Sequence, residues 1–237
     1  MRHCNIKLGT ISSTQNHCII NAFTRGFTSA SRRSTTPTSK SKFLETQTRQ
    51  HSSLASFLAH AKRTGLDETS PTFTGTRYEY LVAERLARYG FSLTRVGGAS
   101  DFGIDLLGDW TIPSTSKSLK VLVQCKAGSR VGPHFIRELE GSFVGAPPGW
   151  RGSRVLGLLV TEKQTTKGMR DALARSRSPM AYVCCTGEEG IVKQMQWNQR
   201  ADEEGLEGID VALRRGAGEE EDEIILMKDG LPLPIVE

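Results

Sequence analysis

The eight residues from Leu119 to Lys126 (LKVLVQCK) constrain the fold more than any other stretch. Read as a strand, they send Val121, Val123 and Cys125 to one side and Leu122, Gln124 and Lys126 to the other. Cys125 therefore goes into a core, while the polar pair Gln124 and Lys126 shares one side at the strand's end. Upstream, Phe91–Val96 reads as a strand, and a glycine-bearing loop (Gly97 to Asp101) leads to a second strand, Ile104–Trp110, which begins with Asp105. Downstream come a helix at Pro133–Phe143, a buried strand at Val155–Val160, a helix at Thr165–Ser176 and a strand at Ala181–Cys185. Val211–Arg215 and Glu223–Lys228 can pair as a hairpin around Gly216 to Glu219, with the acidic run at the turn. The order predicts one α/β domain over residues 72–237, with a mixed central sheet flanked by helices.

A helix precedes these strands, from Thr76 to Tyr89, stopped by Gly90. With about 100° per residue, Val82, Ala83 and Leu86 fall within about 60° of Glu79, whereas Arg77, Glu84 and Arg88 lie opposite. Glu84 can make an ordinary exposed pair with Arg88, four residues on. Glu79 sits on the apolar stripe, where a carboxylate is costly unless a metal ion or a lysine compensates it. The alternative is a border residue that reaches out to water.

Composition adds exclusions. The longest aliphatic run, Val155 to Val160, is far short of the ~20 apolar residues of a membrane span. The 5 cysteines form no C-x-x-C pair and no Cys/His ligand spacing, which excludes an ordinary structural zinc site. Cys184-Cys185 reads as packing at a strand end. The net charge of +5 is unevenly spread: residues 1–44 carry 7 cations and no acid, and residues 201–237 carry 3 cations against 12 acids. The first 44 residues also hold 14 Ser or Thr, a composition resembling a mitochondrial presequence. Arg25-Gly26-Phe27-Thr28 resembles a matrix-peptidase site, so residues 1–27 are expected to be removed and residues 28–71 to form a Ser/Thr-rich disordered linker with a short helical patch at Leu54–Ala61.

Glu79 on a helix, Gly103-Ile104-Asp105 on a strand and Val123-Gln124-Cys125-Lys126 on its neighbour together resemble the PD-(D/E)xK nuclease fold, nearest its Mrr-like branch, where Gln replaces the second acid. Over residues 75–237, including Trp197-Asn198 and the C-terminal hairpin, the chain is more closely similar to the fungal mitochondrial family "required for respiratory growth protein 7". The resemblance implies a restriction-endonuclease-like core over 75–186, a family-specific extension over 187–237, and catalysis by Glu79, Asp105, Gln124 and Lys126. It also implies Mg²⁺ (or Mn²⁺) held by Asp105, Gln124, the Cys125 backbone carbonyl and Glu79. Such an ion prefers oxygen donors of this kind, and a lysine beside it stabilises developing negative charge.

The expected function is therefore metal-dependent hydrolysis of phosphodiester bonds in DNA or RNA in the mitochondrial matrix, supporting respiratory growth through maintenance or expression of the mitochondrial genome. The alternative is a non-catalytic nucleic-acid-binding or assembly factor that keeps the fold. Arg130, His134, Lys167 and Arg170 are the candidate phosphate contacts. For Lys167, Arg170 and Arg177, which share a helix side, a solvated face is the plainer reading; for His134 it is a capping-region residue. Asp101 reads as a turn residue, the acidic loop is expected away from the site, and no stable membrane insertion is expected. A homodimer is left open.

Overall fold

A computed structural model of the protein describes residues 50–96, 103–128, 130–216 and 222–236. The expected presequence, the linker up to residue 49, the loop carrying Asp101 and the turn residues Glu219 to Glu221 lie outside the described residues. Helix α1 (Leu54–Thr64) begins with a capping box, in which the Ser53 and Ser56 side chains each bond the other's backbone N–H, and it ends at Gly65 with φ 65°. It contains the short helical patch expected at Leu54–Ala61 within the linker. Phe57 and Ala61 are buried against Phe73 and Tyr80, so the segment is docked.

Helix α2 (Pro71–Ala87) starts ahead of the expected Thr76, because the Ser70 side chain accepts from Phe73 N and Pro71 occupies the first turn. Strands β1 (Phe91–Arg95), β2 (Leu106–Thr111) and β3 (Ser118–Lys126) form an antiparallel meander. Helix α3 (Pro133–Gly145) crosses over to β4 (Val155–Thr161), parallel to β3, and α4 (Lys167–Arg175) leads to β5 (Met180–Cys185), parallel to β4. Strand β6 (Val192–Trp197) closes the sheet antiparallel to β5, giving the order β1-β2-β3-β4-β5-β6. Its polar sequence (VKQMQW) hides it from sequence reading: only Val192 and Met195 are buried.

After a three-residue helix α5 (Gln199–Ala201) and a π-helical turn at Asp202–Leu206, the chain forms a separate sheet. In it β7 (Ile209–Arg214) pairs with β8 (Glu223–Lys228), as the hairpin reading expects, and β9 (Leu231–Pro232) adds a third strand. The structure is thus a mixed central sheet flanked by helices, with a three-stranded C-terminal sheet. No helix among the described residues is long and apolar enough to cross a membrane.

The alternation of β3 divides the interior in two. Val121 and Val123 join Tyr78, Leu81, Val82 and Leu86 of α2, with Ile224 and Leu226 of the C-terminal sheet closing that side. Leu122 joins Ile136 and Leu139 of α3 and Met169 and Leu173 of α4 on the other face. Each fully buried aliphatic side chain contributes about 1.5–3 kcal/mol, so the central strands are the best-anchored part of the molecule. The polar end of β3 projects from that anchor.

Candidate functional site

The site forms where β2 and β3 part. Leu106 is the register partner of Val123, yet Asp105 N also donates to Val123 O at 2.8 Å, so the chain leaves the regular ladder at Asp105. The Asp105 carboxylate then takes over a role usually played by the main chain: its Oδ2 accepts from Cys125 N at 2.7 Å. Two residues earlier, Gly103 has φ +76°, and a Cβ there would lie 2.9 Å from Gln124 Nε2 and 3.4 Å from Ser142 Oγ. Glycine is required twice over, by backbone conformation and by the approach of the Gln124 amide.

Gln124 is 3% exposed, and its Oε1 has no hydrogen-bond partner among the described residues. Leaving such an oxygen unpaired in a protein interior costs about 1–3 kcal/mol, so it is a position where a bound group would be welcome. Lys126, on the same side of β3, lies 3.4 Å from Glu138 Oε2 of α3, with its Nζ 5.3 Å from the centroid of the Phe135 ring. Both partners of that ion pair are partly exposed, so it is weak, about 0–1 kcal/mol, and Lys126 remains available to another anion.

Glu79 comes from the other face of the sheet. The helical wheel places it correctly on the buried side of α2, where the Arg95 Nε at the end of β1 donates to Glu79 Oε2. Their side chains are only 12% and 15% exposed, so the pair is substantially desolvated. Arg95 also lies 6.0 Å from the Tyr80 ring centroid. Glu79 and Asp105 border the same thiol. Burial pushes the Cys125 thiol far up, and the charges of Asp105 and Glu79 push it further, so Cys125 is a protonated packing residue and contributes through its backbone. The structure therefore brings the charges of both Glu79 and Asp105 to bear on Cys125, while Lys126 turns to Glu138 of α3 on the far face.

Sequence reading missed Arg95 and Glu138 as partners. Arg95 was visible as a cation ending a strand just after the helix that carries Glu79; Glu138 carried no signal until α3 was laid along β3. Among the described residues no group of three or more His, Cys, Asp or Glu is placed to hold a metal ion. The donors at hand for a hard cation are the Asp105 carboxylate, Gln124 Oε1 and the Cys125 carbonyl, with Glu79 bound to Arg95. This all-oxygen set and the unpartnered Oε1 fit Mg²⁺ or Mn²⁺.

The four candidate phosphate contacts are all exposed. Arg130 precedes α3, and the His134 ring lies against Phe135 with centroids 4.1 Å apart. Lys167 starts α4, and Arg170 Nη1 donates to Thr165 O at 3.0 Å, which fixes its stem near the helix start. Cys184 and Cys185 face opposite cores, and burial raises both thiols, that of Cys185 to about 12, so neither is reactive at neutral pH.

The chain matches the family model described as Required for respiratory growth protein 7 over residues 70–118 and 111–212. It is 33% identical over 155 residues to an uncharacterised mitochondrial protein of Schizosaccharomyces pombe, covering 64% of this chain and 61% of that one. It is 33% identical over 119 residues to the mitochondrial Required for respiratory growth protein 7 of Vanderwaltozyma polyspora, covering 32% of this chain and 48% of that one. With the protein of the same name from Saccharomyces cerevisiae the identity is 24% over 168 residues, covering 53% and 69%. The chain thus spans roughly half to two thirds of the length of the curated relatives it matches. No solved structure matches it. The relatives are named as mitochondrial proteins, the location that the cationic, acid-free N-terminal segment also indicates. Matched by the family model from residue 70 to residue 212, the chain belongs to the Required for respiratory growth protein 7 family.

Proposed function

We propose that this protein is a metal-dependent nuclease that hydrolyses phosphodiester bonds of mitochondrial nucleic acid, and that its family's part in respiratory growth comes from maintenance or expression of the mitochondrial genome. The observation that carries the reading is the buried, unpartnered Gln124 Oε1, together with the Asp105 carboxylate fixed by the N–H of Cys125, the residue after Gln124. A scaffold gains nothing from leaving that oxygen unpaired. The order of helix, three-stranded meander, crossover helix and parallel strand also supports the resemblance to the PD-(D/E)xK nucleases.

A bound Mg²⁺ or Mn²⁺ would neutralise charge at phosphorus and make a water molecule acidic. The chain's own residues supply the rest. Asp105, Gln124 Oε1 and the Cys125 carbonyl would hold the cation, and the Cys125 N–H keeps the Asp105 carboxylate from turning away. Arg95 holds Glu79 beside Cys125 as a second carboxylate. Lys126, at the open end of β3, would bind a phosphate oxygen and stabilise the charge that develops on it.

The test is the purified full chain on supercoiled DNA, linear DNA and structured RNA, with Mg²⁺, Mn²⁺ or chelator. Metal-dependent cleavage is expected. Lys126→Ala should fold normally and slow cleavage on the order of 10²–10³-fold, and Asp105→Asn should also raise the metal concentration needed. A wild-type chain inert on all three substrates with either metal would overturn the reading. One observation favours the non-catalytic alternative: Glu79 and Lys126 are both already ion-paired, with Arg95 and Glu138. That alternative predicts binding without cleavage, and normal respiratory growth with Lys126→Ala.

A further inference from the structure

A second concave site lies at the other end of the sheet. Lys126 is level with Thr161 and Cys184 in the strand register, whereas Met180, whose N donates to the Asn198 that lines this second site, is four residues lower on β5. That separates the two by about 13 Å along the strands alone. The cavity, of about 260 Å³, is lined by Arg175 at the end of α4 and Arg177 just past it, by Arg200 of α5, and by Asn198, Gln199 and Glu203.

Its floor is rigid. Asn198 is 5% exposed and spends its whole amide on the backbone: Oδ1 accepts from Met180 N and Ala201 N, and Nδ2 donates to Leu173 O and Ser178 O. One side chain thereby ties together the end of α4, the loop after it, the start of β5 and the start of α5. The arginines are mounted on a fixed frame.

The charges do not balance. Glu203 is held by Arg200 at 2.7 Å and by Gln199 Nε2 at 3.3 Å. Glu140 accepts from Ser176 Oγ at 2.7 Å and Arg177 N at 3.0 Å, so its charge also lies nearby, and these two carboxylates still fall one short of the three guanidiniums of Arg175, Arg177 and Arg200. Among the described residues neither the Arg175 nor the Arg177 guanidinium has a hydrogen-bond or ion-pair partner. Arg175 can serve the C-terminal dipole of α4, but Arg177 lies beyond the helix and has no such role. Two like charges held around one cavity repel each other, and an anion between them relieves the repulsion. Guanidinium forks match the oxygens of a phosphate group in geometry as well as charge.

We propose that this cavity is a phosphate-binding site, distinct from the Asp105–Lys126 site and independent of any catalysis there. The phosphate can come from a free phosphate ligand or from a nucleic-acid backbone, and the test separates them. Calorimetric titration of the full chain, without added divalent ion, would use inorganic phosphate, pyrophosphate and a short single-stranded oligonucleotide. Binding of at least one is expected, and the Arg175→Gln/Arg177→Gln chain should bind it on the order of tenfold or more weakly. Both side chains are exposed, so the variant should melt like the wild type. Pyrophosphate binding would assign a free ligand, and oligonucleotide binding alone would assign a backbone. A charge-matched control, Lys62→Gln/Arg63→Gln on α1, should bind as wild type. The proposal is overturned if the wild type binds none of the three, if the arginine variant binds equally well, or if the control loses as much.

Discussion

Two glycines show how unevenly the fold tolerates one added carbon. Gly108 in β2 faces Leu93 of β1, and a Cβ there would sit 1.8 Å from Ser92 O, a backbone atom that cannot step aside. Gly108→Ala should therefore destabilise the protein by about 1–3 kcal/mol or more, through spreading of β1 from β2. Gly141, on the exposed side of α3, would place its Cβ in open space. Gly141→Ala should leave stability unchanged or raise it by about 0.5–1 kcal/mol, because alanine is the better helix former. Urea unfolding of the two variants checks both signs. At the same scale, the alternation of β3 was fully legible: a period of two assigns Cys125 to one core and Gln124 to the other side whatever the strand's neighbours. The partner of Glu79 was not. A helical wheel shows that the carboxylate is buried, but the identity of the cation depends on how α2 crosses β1, and Arg95 is 16 residues away in sequence.

Helix α1 was legible as a short helical patch at Leu54–Ala61, but its docking was not. Its surroundings are rich in Ser and Thr, and only Phe57 and Ala61 of its eleven residues are buried, too few for the sequence to show that the patch packs on α2. Its docking also depends on His51, just ahead of it, whose Nδ1 lies 2.8 Å from Tyr80 Oη while the Tyr80 hydroxyl donates to His51 O at 3.0 Å. Burial lowers the His51 pKa below its ordinary 6.5, and the nearby Arg95 and His60 lower it further. The docked state thus prefers neutral His51, while the undocked state binds a proton more readily. Docking is at full strength above about pH 6.5 and weakens as the pH falls below it. Hydrogen exchange of the α1 amides should accelerate between about pH 6.5 and pH 5.5 beyond the intrinsic change in exchange chemistry, and His51→Gln should abolish that extra dependence. An unchanged profile in the wild type would show that His51 does not couple to docking.

For the molecule as a whole, the C-terminal sheet is part of the main core. The hairpin is legible in sequence, because two alternating runs flank a glycine-rich turn, and it reads as an extension within the domain over residues 72–237. The contacts show how it is joined. Ile209, Ile224 and Leu226 belong to the same apolar cluster as Tyr78, Leu81, Val82 and Leu86 of α2. Tyr89 donates its hydroxyl to Ile224 O at 3.2 Å, Arg88 pairs with Glu223 at 2.8 Å, and Val236 N reaches back to Arg88 O at 2.9 Å. The sheet thus anchors the C-terminal end of α2, the helix that carries Glu79, through residues about 135 positions downstream of Arg88 and Tyr89. Leu226→Ala, in a side chain 3% exposed, should cost about 2–5 kcal/mol. If the sheet is integral, the loss appears as a lower midpoint of one cooperative transition, with the denaturant slope preserved and α2 melting together with β8. If the sheet were a separate unit, a second, earlier transition would split off and the central sheet would unfold at its original midpoint. Tryptophan emission, from Trp110 and Trp197 at one core of the central sheet and Trp150 in the other, followed alongside far-ultraviolet circular dichroism, distinguishes the cases: coincident curves support one cooperative fold, and divergent ones would make the C-terminal sheet a separate unit.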